Sequence, residues 1–272
     1  MNIFTVLLIQ PLANGLVLFY RILGSNMGLA IVGFSLALVL SLRPLTRQYM
    51  ESMKKMKEYG PQLEKLKRKY KDDKQKLMRA QAQFYKEKGI NPGSGCLPMI
   101  LQLVLLFGLL QVFLTALHGS DPANLNQLMY APLRFSPGDT INTRFLYLDI
   151  TKPDTFKISG IPFELPGLLI ILAALTQMIS AKIASPYLEA EEKAARKTEG
   201  SSDDFQAAMQ SSAIYTFPIM TLIFGVRFPA GVALYWVTFS LYQAYQQYRS
   251  TGLGGLKSWI KKFERVTIAS WK

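Results

Sequence analysis

Five stretches of this chain carry no charged side chain: residues 27–42, 96–117, 165–181, 211–226 and 228–248. A helix needs about 20 apolar residues, within a range of roughly 17–25, to cross the hydrocarbon core of a bilayer. The second and fifth stretches reach that length unaided, and the other three reach it with flanking residues. Five such segments separated by charged loops are hard to bury in a soluble chain of 272 residues. The pattern therefore predicts an all-α membrane protein with five transmembrane helices. Composition agrees, because half the residues are apolar while the formal charge is +13, so the charge is concentrated between the spans.

The resulting segmentation is an interfacial amphipathic segment over 1–24, a first span over 25–48 and a basic cytoplasmic helical hairpin over 49–91. A second span follows over 95–117, then an extracytoplasmic loop over 118–162, a third span over 163–184 and a cytoplasmic loop over 185–210. The fourth and fifth spans cover 211–227 and 228–248, and a basic tail covers 249–272. Before Arg21 there is no Lys or Arg, so the first residues lack the basic start of a signal peptide. They are read as a retained surface segment, broken at Pro11 and Gly15.

Between Arg47 and Lys88 stand 14 basic against 6 acidic residues, which places that region in the cytoplasm by the positive-inside rule. The loop over 118–162 balances 4 basic residues with 4 aspartates and so can lie outside. Alternation puts the N-terminus out and the C-terminus in. The loop over 182–210 fits less well, with four basic residues against six acids. The tail, with six basic residues and one Glu, agrees with a cytoplasmic end.

The region after the first span is rich in helix formers. Leu63, Leu66 and Tyr70 repeat at i, i+3 and i+7, as do Leu77, Ala80 and Phe84. Each half thus has one narrow apolar stripe, with Asp72-Asp73 as break and N-cap and Gly89 and Pro92 as stop. The expectation is a hairpin of about five turns per arm. Its basic outer faces have two readings: a solvated helix pair near anionic lipid, or a docking arm for an acidic partner such as ribosomal RNA or a targeting component. Trp259, Phe263 and Trp271 in the tail allow the same pair of readings.

Cys96 is the only cysteine and His118 the only histidine, which excludes an internal disulfide and leaves a metal or histidine-driven site little to build on. No cofactor or metal is expected. An intramembrane enzyme would want Ser/His, paired Asp or metal ligands at depth, and no such group is present. A small transporter would want paired intramembrane charges or repeats, and a ribosome tether would not need so many spans with polar positions. Those positions are Ser35, Gln102, Gln111, Thr176, Gln177, Ser180, Thr238, Ser240 and Gln243. In the plainest reading they bond helix to helix, at about 0.6 kcal/mol each.

From Asn91 the chain reads NPGSGCLPMILQ, and from Phe228 it reads FPAGVALYWV. With a first span ended by Pro44 and a charged hairpin behind it, the sequence resembles the YidC/Oxa/Alb family of membrane-protein insertases across nearly its whole length. The resemblance rests on Pro44, on Asn91, Pro92, Gly95, Cys96 and Pro98, and on Pro229, Gly231 and Tyr235. It is to a compact member, since nothing here corresponds to the large domain that some bacterial relatives carry before the first span. It implies a non-catalytic insertase and chaperone in the bacterial cytoplasmic (inner) membrane, passing client segments through a hydrophilic groove into the bilayer. The implied partners are nascent membrane proteins, lipid and, through the hairpin and tail, the ribosome and a Sec-type translocon.

By the same resemblance Ser35, Gln177 and Trp236 fall where the family places groove-lining or client-contacting residues. Gln102 joins them as a polar side chain of the second span. Family members usually carry an arginine five residues before the proline that ends the first span, and here that position is Val39. Arg43 lies one helical turn further on, on nearly the same face. It has two readings, a displaced groove cation or a boundary charge that snorkels to the surface.

Overall fold

A computed structural model describes residues 2–70, 73–91, 97–116, 121–160, 162–185 and 212–260. Helices dominate the described residues: α1 (Gln10–Ile22), α2 (Met27–Ser41), α3 (Arg43–Lys69), α4 (Lys74–Lys88), α5 (Leu97–Gln111), α6 (Ala123–Asn126), α7 (Leu168–Ala184), α8 (Phe217–Gly225) and α9 (Ala230–Thr251). Wider π turns precede α1 at Thr5–Ile9, follow α5 at Val112–Ala116 and precede α8 at Ser212–Thr216. The chain divides into two compact units. One comprises residues 1–42, 100–177 and 216–242, the other residues 43–99, 178–215 and 243–272.

In the first unit the expected breaks at Pro11 and Gly15 are absent. Pro11 lies where the π turn over Thr5–Ile9 passes into α1, and a π turn is one of the irregularities by which a helix accommodates a residue without an N–H. Gly15 lies beneath the Phe34 ring of α2, and a Cβ there would collide with it. The glycine serves close approach of two helices. A Cβ on Gly33 would meet Phe19 and Leu23, while one on Gly108 of α5 would meet Leu8 and Leu12. α1 and α2 pack extensively on each other, with the Phe19 and Phe34 rings 5.8 Å apart.

The helices of this unit are apolar on both faces. In α7, Ile170, Ala173 and Ala174 are buried, whereas Leu168, Ile171, Leu172, Leu175 and Ile179 form an exposed stripe at helical spacing. In α8, Ile219, Met220, Ile223 and Phe224 are exposed in the same way, and in α5 so are Ile100, Leu103, Val104 and Phe107. Continuous exposed apolar surface of this kind suits hydrocarbon rather than water. By length and apolar composition, Thr5–Ile22 is the one described helix sufficient to cross a membrane by itself, and Ile100–Leu114, Leu168–Ala184 and Ile214–Gly225 are apolar but shorter.

The segment between α5 and α7 departs from a purely helical fold. It holds two antiparallel ladders of two-residue strands. In one, β1 (Arg144–Phe145) pairs with β2 (Leu148–Asp149); in the other, β3 (Thr155–Phe156) pairs with β4 (Leu165–Pro166). Strands so short leave no alternation for a sequence pattern to reveal. Their main chain instead satisfies helix ends. Asn26 caps α2 by accepting from Leu29 N at 3.1 Å and donates to Arg144 O at 3.0 Å. Asp154 accepts from Leu169 N at 2.7 Å at the start of α7. Ala230 N and Gly231 N, at the start of α9, donate to Lys152 O and Ile150 O at 2.8 and 2.9 Å. Helix N-termini carry orphan N–H groups that must find acceptors, and here three of them find acceptors in one segment.

The N-terminal helix is bolted to that segment as well. The buried Asn14 amide donates to Leu128 O at 2.8 Å and accepts from Tyr130 N at 2.7 Å. Arg21 donates to the carbonyls of Pro132, Leu133 and Arg134, with its guanidinium 5.6 Å from the Phe135 ring centre. Within the segment, burial opposes ionisation of Asp149, but hydrogen bonds from Thr151, Thr143 and Lys152 outweigh it and hold the carboxyl below its usual range.

In the second unit α3 starts at Arg43, six residues before the sequence-based boundary at 49. Pro44 explains the shift: it has no N–H to continue the ladder of α2, and its ring clashes with a carbonyl four residues back, yet it suits the first turn of a new helix. α3 and α4 pack on each other, with the Tyr59 and Phe84 rings 6.4 Å apart, Lys88 Nζ 4.9 Å from the Tyr59 ring centre and Lys55 Nζ donating to Gly89 O at 3.1 Å. Asp73 caps α4 through Lys76 N, and Gly89 ends it in the left-handed conformation. At the other end of the sequence, Gly255 N donates to Ser185 O and Lys182 Nζ lies 5.3 Å from the Trp259 ring centre.

Candidate functional site

The polar positions of the apolar helices are the candidate site, and the first unit holds Ser35 on α2, Gln102 and Gln111 on α5, Thr176 and Gln177 on α7, and Thr238 and Ser240 on α9, together with Trp236 on α9. Ser35 is 1 % exposed, and its hydroxyl donates back to Ile31 O, one turn earlier, at 2.5 Å. Thr176 and Thr238 do the same, to Leu172 O and Leu234 O, both at 2.9 Å. A hydroxyl used in this way spends its one proton on its own helix and keeps acceptor lone pairs. The buried hydroxyls therefore cost little at rest while still presenting acceptors.

Gln177 and Thr221 form a bond between helices, with the Thr221 hydroxyl 2.8 Å from Gln177 Oε1 and 3.1 Å from Phe217 O. Sequence reasoning missed Thr221. The available signal was a threonine inside a charge-free stretch. Gln102 is half-buried, and Ser240 on α9 is buried.

Trp236 is 6 % exposed, and its ring stands 6.1 Å from that of Phe228. It shares one apolar cluster with Val39, Phe113 and Tyr235. Val39, where the resemblance leads one to look for arginine, is 8 % exposed. Tyr235 is wholly buried beside Phe239, and among the described residues its hydroxyl has no hydrogen-bond partner. A buried hydroxyl left unpaired costs on the order of 1–3 kcal/mol, so a polar group brought to it would be bound with advantage.

Arg43 belongs to the second unit, where it is exposed at the first position of α3, its carbonyl accepting from the Thr46 hydroxyl at 3.1 Å. It is thus not among the residues that the first unit brings together. Pro44 is exposed in the same turn. Of the motif after the hairpin, Asn91 is exposed, Pro98 lies in the first turn of α5, and Pro92, Gly95 and Cys96 lie outside the described residues, as do His118, Phe263 and Trp271 and most of the loop over 185–210. Pro229 and Gly231 are buried at the start of α9. A Cβ on Gly231 would strike Phe113, so the glycine is what allows its N–H to reach Ile150 O.

Among the described residues no group of three or more His, Cys, Asp or Glu gathers as metal ligands would. The arrangement offers hydrogen-bond acceptors within apolar surroundings.

Comparison with known proteins gives a consistent answer. A family model described as 60Kd inner membrane protein matches residues 18–252. The membrane protein insertase YidC of Fusobacterium nucleatum is 31% identical over 223 residues, 82% of this chain and 85% of that protein. The membrane protein insertase YidC 2 of Bacillus anthracis is 31% identical over 248 residues, 90% of this chain and 79% of the relative. The YidC of Chlorobium luteolum is 32% identical over 233 residues, which are 82% of this chain but only 33% of that longer protein.

Proposed function

This chain belongs to the 60Kd inner membrane protein family, the family of the YidC membrane protein insertases, and on that premise we propose how it inserts its clients. The polar side chains of α2, α5, α7 and α9 line a path by which a client's polar residues enter the membrane partway while its apolar segment slides sideways into lipid. An unassisted charge at the centre of a membrane helix costs at least ~2.5–3.5 kcal/mol, and a row of hydrogen-bonding groups lowers that cost with no covalent chemistry.

The observation that carries this reading is the polar set Ser35, Thr176, Gln177, Thr221, Thr238 and Ser240, buried or half-buried in helix stretches whose neighbouring side chains are largely apolar. Gln177, with its oxygen held by Thr221, is the residue the path uses most directly. Tyr235 supplies the one buried hydroxyl that rest leaves unpaired among the described residues. Trp236 packs the wall and contacts the client's apolar side chains. Arg43, the cation next in sequence after α2, attracts acidic client tails.

Five spans accommodate this arrangement: α2, α5 with its π turn, α7, α8 with its π turn, and α9. α5 with its π turn is about 30 Å long, and the 22 residues of α9 about 33 Å, enough for the hydrocarbon core. α1 is the interfacial helix. Its length would let it span, but the hold of Arg21 on the α5–α7 segment favours a position at the membrane surface. That segment faces outward and the N-terminus lies out. α3 and α4 are the cytoplasmic hairpin, the C-terminus lies in, and the basic faces of both regions meet the ribosome and a Sec-type channel.

The test is a protease-protection assay in proteoliposomes that hold only this purified protein, with a single-span client carrying an acidic N-terminal tail. Wild type should insert it. Gln177→Leu combined with Thr221→Val should lower insertion about tenfold, equivalent to ~1.4 kcal/mol, with folding retained, whereas Arg43→Ala should lower it only for acidic tails. Full insertion by the double variant would remove the polar path from the mechanism.

A further inference from the structure

The ladder of β3 and β4 is amphipathic in a way that insertion of clients does not use. On one side Thr155 donates to Glu164 Oε2 at 2.9 Å, and Lys157 Nζ lies 3.1 Å from Glu164 Oε1, so three polar residues are joined across the ladder. Phe156, between Thr155 and Lys157, projects to the opposite side, as alternate residues of a strand do. It is exposed, as is Ile158, and Phe163 is 63 % exposed. A free-standing ladder in water would not display these three side chains while its polar residues bond to one another.

What covers the apolar side follows from what the ladder adjoins. β4 ends at Pro166 and α7 begins at Leu168, itself 68 % exposed and the first member of the exposed stripe that continues through Ile171, Leu172, Leu175 and Ile179. Exposed apolar side chains thus stand on both the ladder and the start of α7, and Gly167 N and Leu169 N both bond to Asp154, fixing the junction. We propose that the β3–β4 hairpin is a lipid anchor: Phe156, Ile158 and Phe163 enter the headgroup–acyl boundary of the outer leaflet at the end of α7, while the Lys157–Glu164 pair faces water. Short amphipathic elements bind interfaces in this manner, through modest apolar insertion beneath a charged face. The anchor fixes the height at which α7, and Gln177 upon it, sits in the bilayer.

The inference rests on α7 crossing the membrane, so its test reports on that separately. Single cysteines replace Phe156, Phe163, Lys157 and, on the α7 stripe, Leu172, each in a Cys96→Ser background, and carry a nitroxide in phosphatidylcholine–phosphatidylglycerol proteoliposomes. Relaxation by oxygen, which concentrates in lipid, is compared with relaxation by a water-soluble nickel chelate. The oxygen-to-chelate ratio should be highest at Leu172, several-fold higher at Phe156 and Phe163 than at Lys157, and lowest at Lys157. Chelate access equal at all three hairpin positions, with Leu172 still in lipid, would overturn the anchor and leave the membrane reading standing. Labels at Phe156 and Phe163 shielded from both relaxants would mean that a second copy of the chain covers the face, which also overturns it. A water-exposed Leu172 would remove the anchor together with the spanning role of α7.

Discussion

The segment between α5 and α7 and the pair α3 with α4 are both polar regions outside the apolar helices, yet they are built differently. The first is tied to its surroundings by hydrogen bonds to buried or capping groups: Asn14 to Leu128 and Tyr130, Ile150 and Lys152 to the start of α9, Asp154 to the start of α7. The second is held by ring contacts and a lysine–carbonyl bond, and its ion pairs of Arg47 with Glu51 and Lys76 with Asp73 are exposed, where such pairs contribute about 0–1 kcal/mol. A region whose bonds close helix ends seals them. A region held by exposed side chains stays free to yield to a partner.

That contrast can be broken most severely at Gly231. Gly231→Leu should force the side chain into Phe113 and detach α9 from Ile150, a loss of about 3 kcal/mol or more seen as a large drop in thermal unfolding temperature in detergent. Asn14→Leu should cost about 2–3 kcal/mol, because Leu128 O and Tyr130 N lose their partner, with hydrogen exchange rising around residues 128–130. Tyr59→Ala, in the α3–α4 pair, should cost about 1 kcal/mol and leave exchange in the α5–α7 segment unchanged. An Asn14 effect no larger than the Tyr59 effect would erase the distinction.

The smallest effect concerns acid. Asp149 has a folded pKa below its usual value, so its contribution is present above the unfolded pKa and is lost as pH falls through the folded one. Amides of residues 149–152 should lose protection below about pH 4, after correction for intrinsic exchange, while α3 and α4 do not change in step.

The sequence was readable where one residue acts on its neighbours. Asp73 before α4 and Gly89 after it are local signals read as such, and each caps the helix it adjoins, whereas Asn26, which caps α2, is a signal of the same kind that the reading of the sequence passes over. It was opaque where partners lie far apart. Nothing near Leu168 announces that Asp154 will cap α7, and Gly15 reads as a break until the Phe34 ring is seen above it. Residues 43–48 are helical beyond Pro44, in a new helix rather than as the end of α2. In the candidate site, composition marks Ser35 and Gln177 as polar positions, and it is the family resemblance that singles them out. Neither could show that the Ser35 hydroxyl turns back on its own helix, nor that Gln177 already holds Thr221.

The acceptors that close α9 are the carbonyls of Ile150 and Lys152, and a carbonyl is the same whichever side chain stands beside it. Lys152, exposed, can therefore be exchanged without loss of its carbonyl, whereas Ile150, wholly buried in the apolar cluster, is free to vary only among apolar side chains. The count of residues between the two carbonyls is held fixed, so relatives should differ in spelling at 152 and agree in length, and an insertion or deletion of one residue here should be selected against more strongly than an exchange of Lys152. At that carbonyl it is position rather than identity that heredity has to preserve.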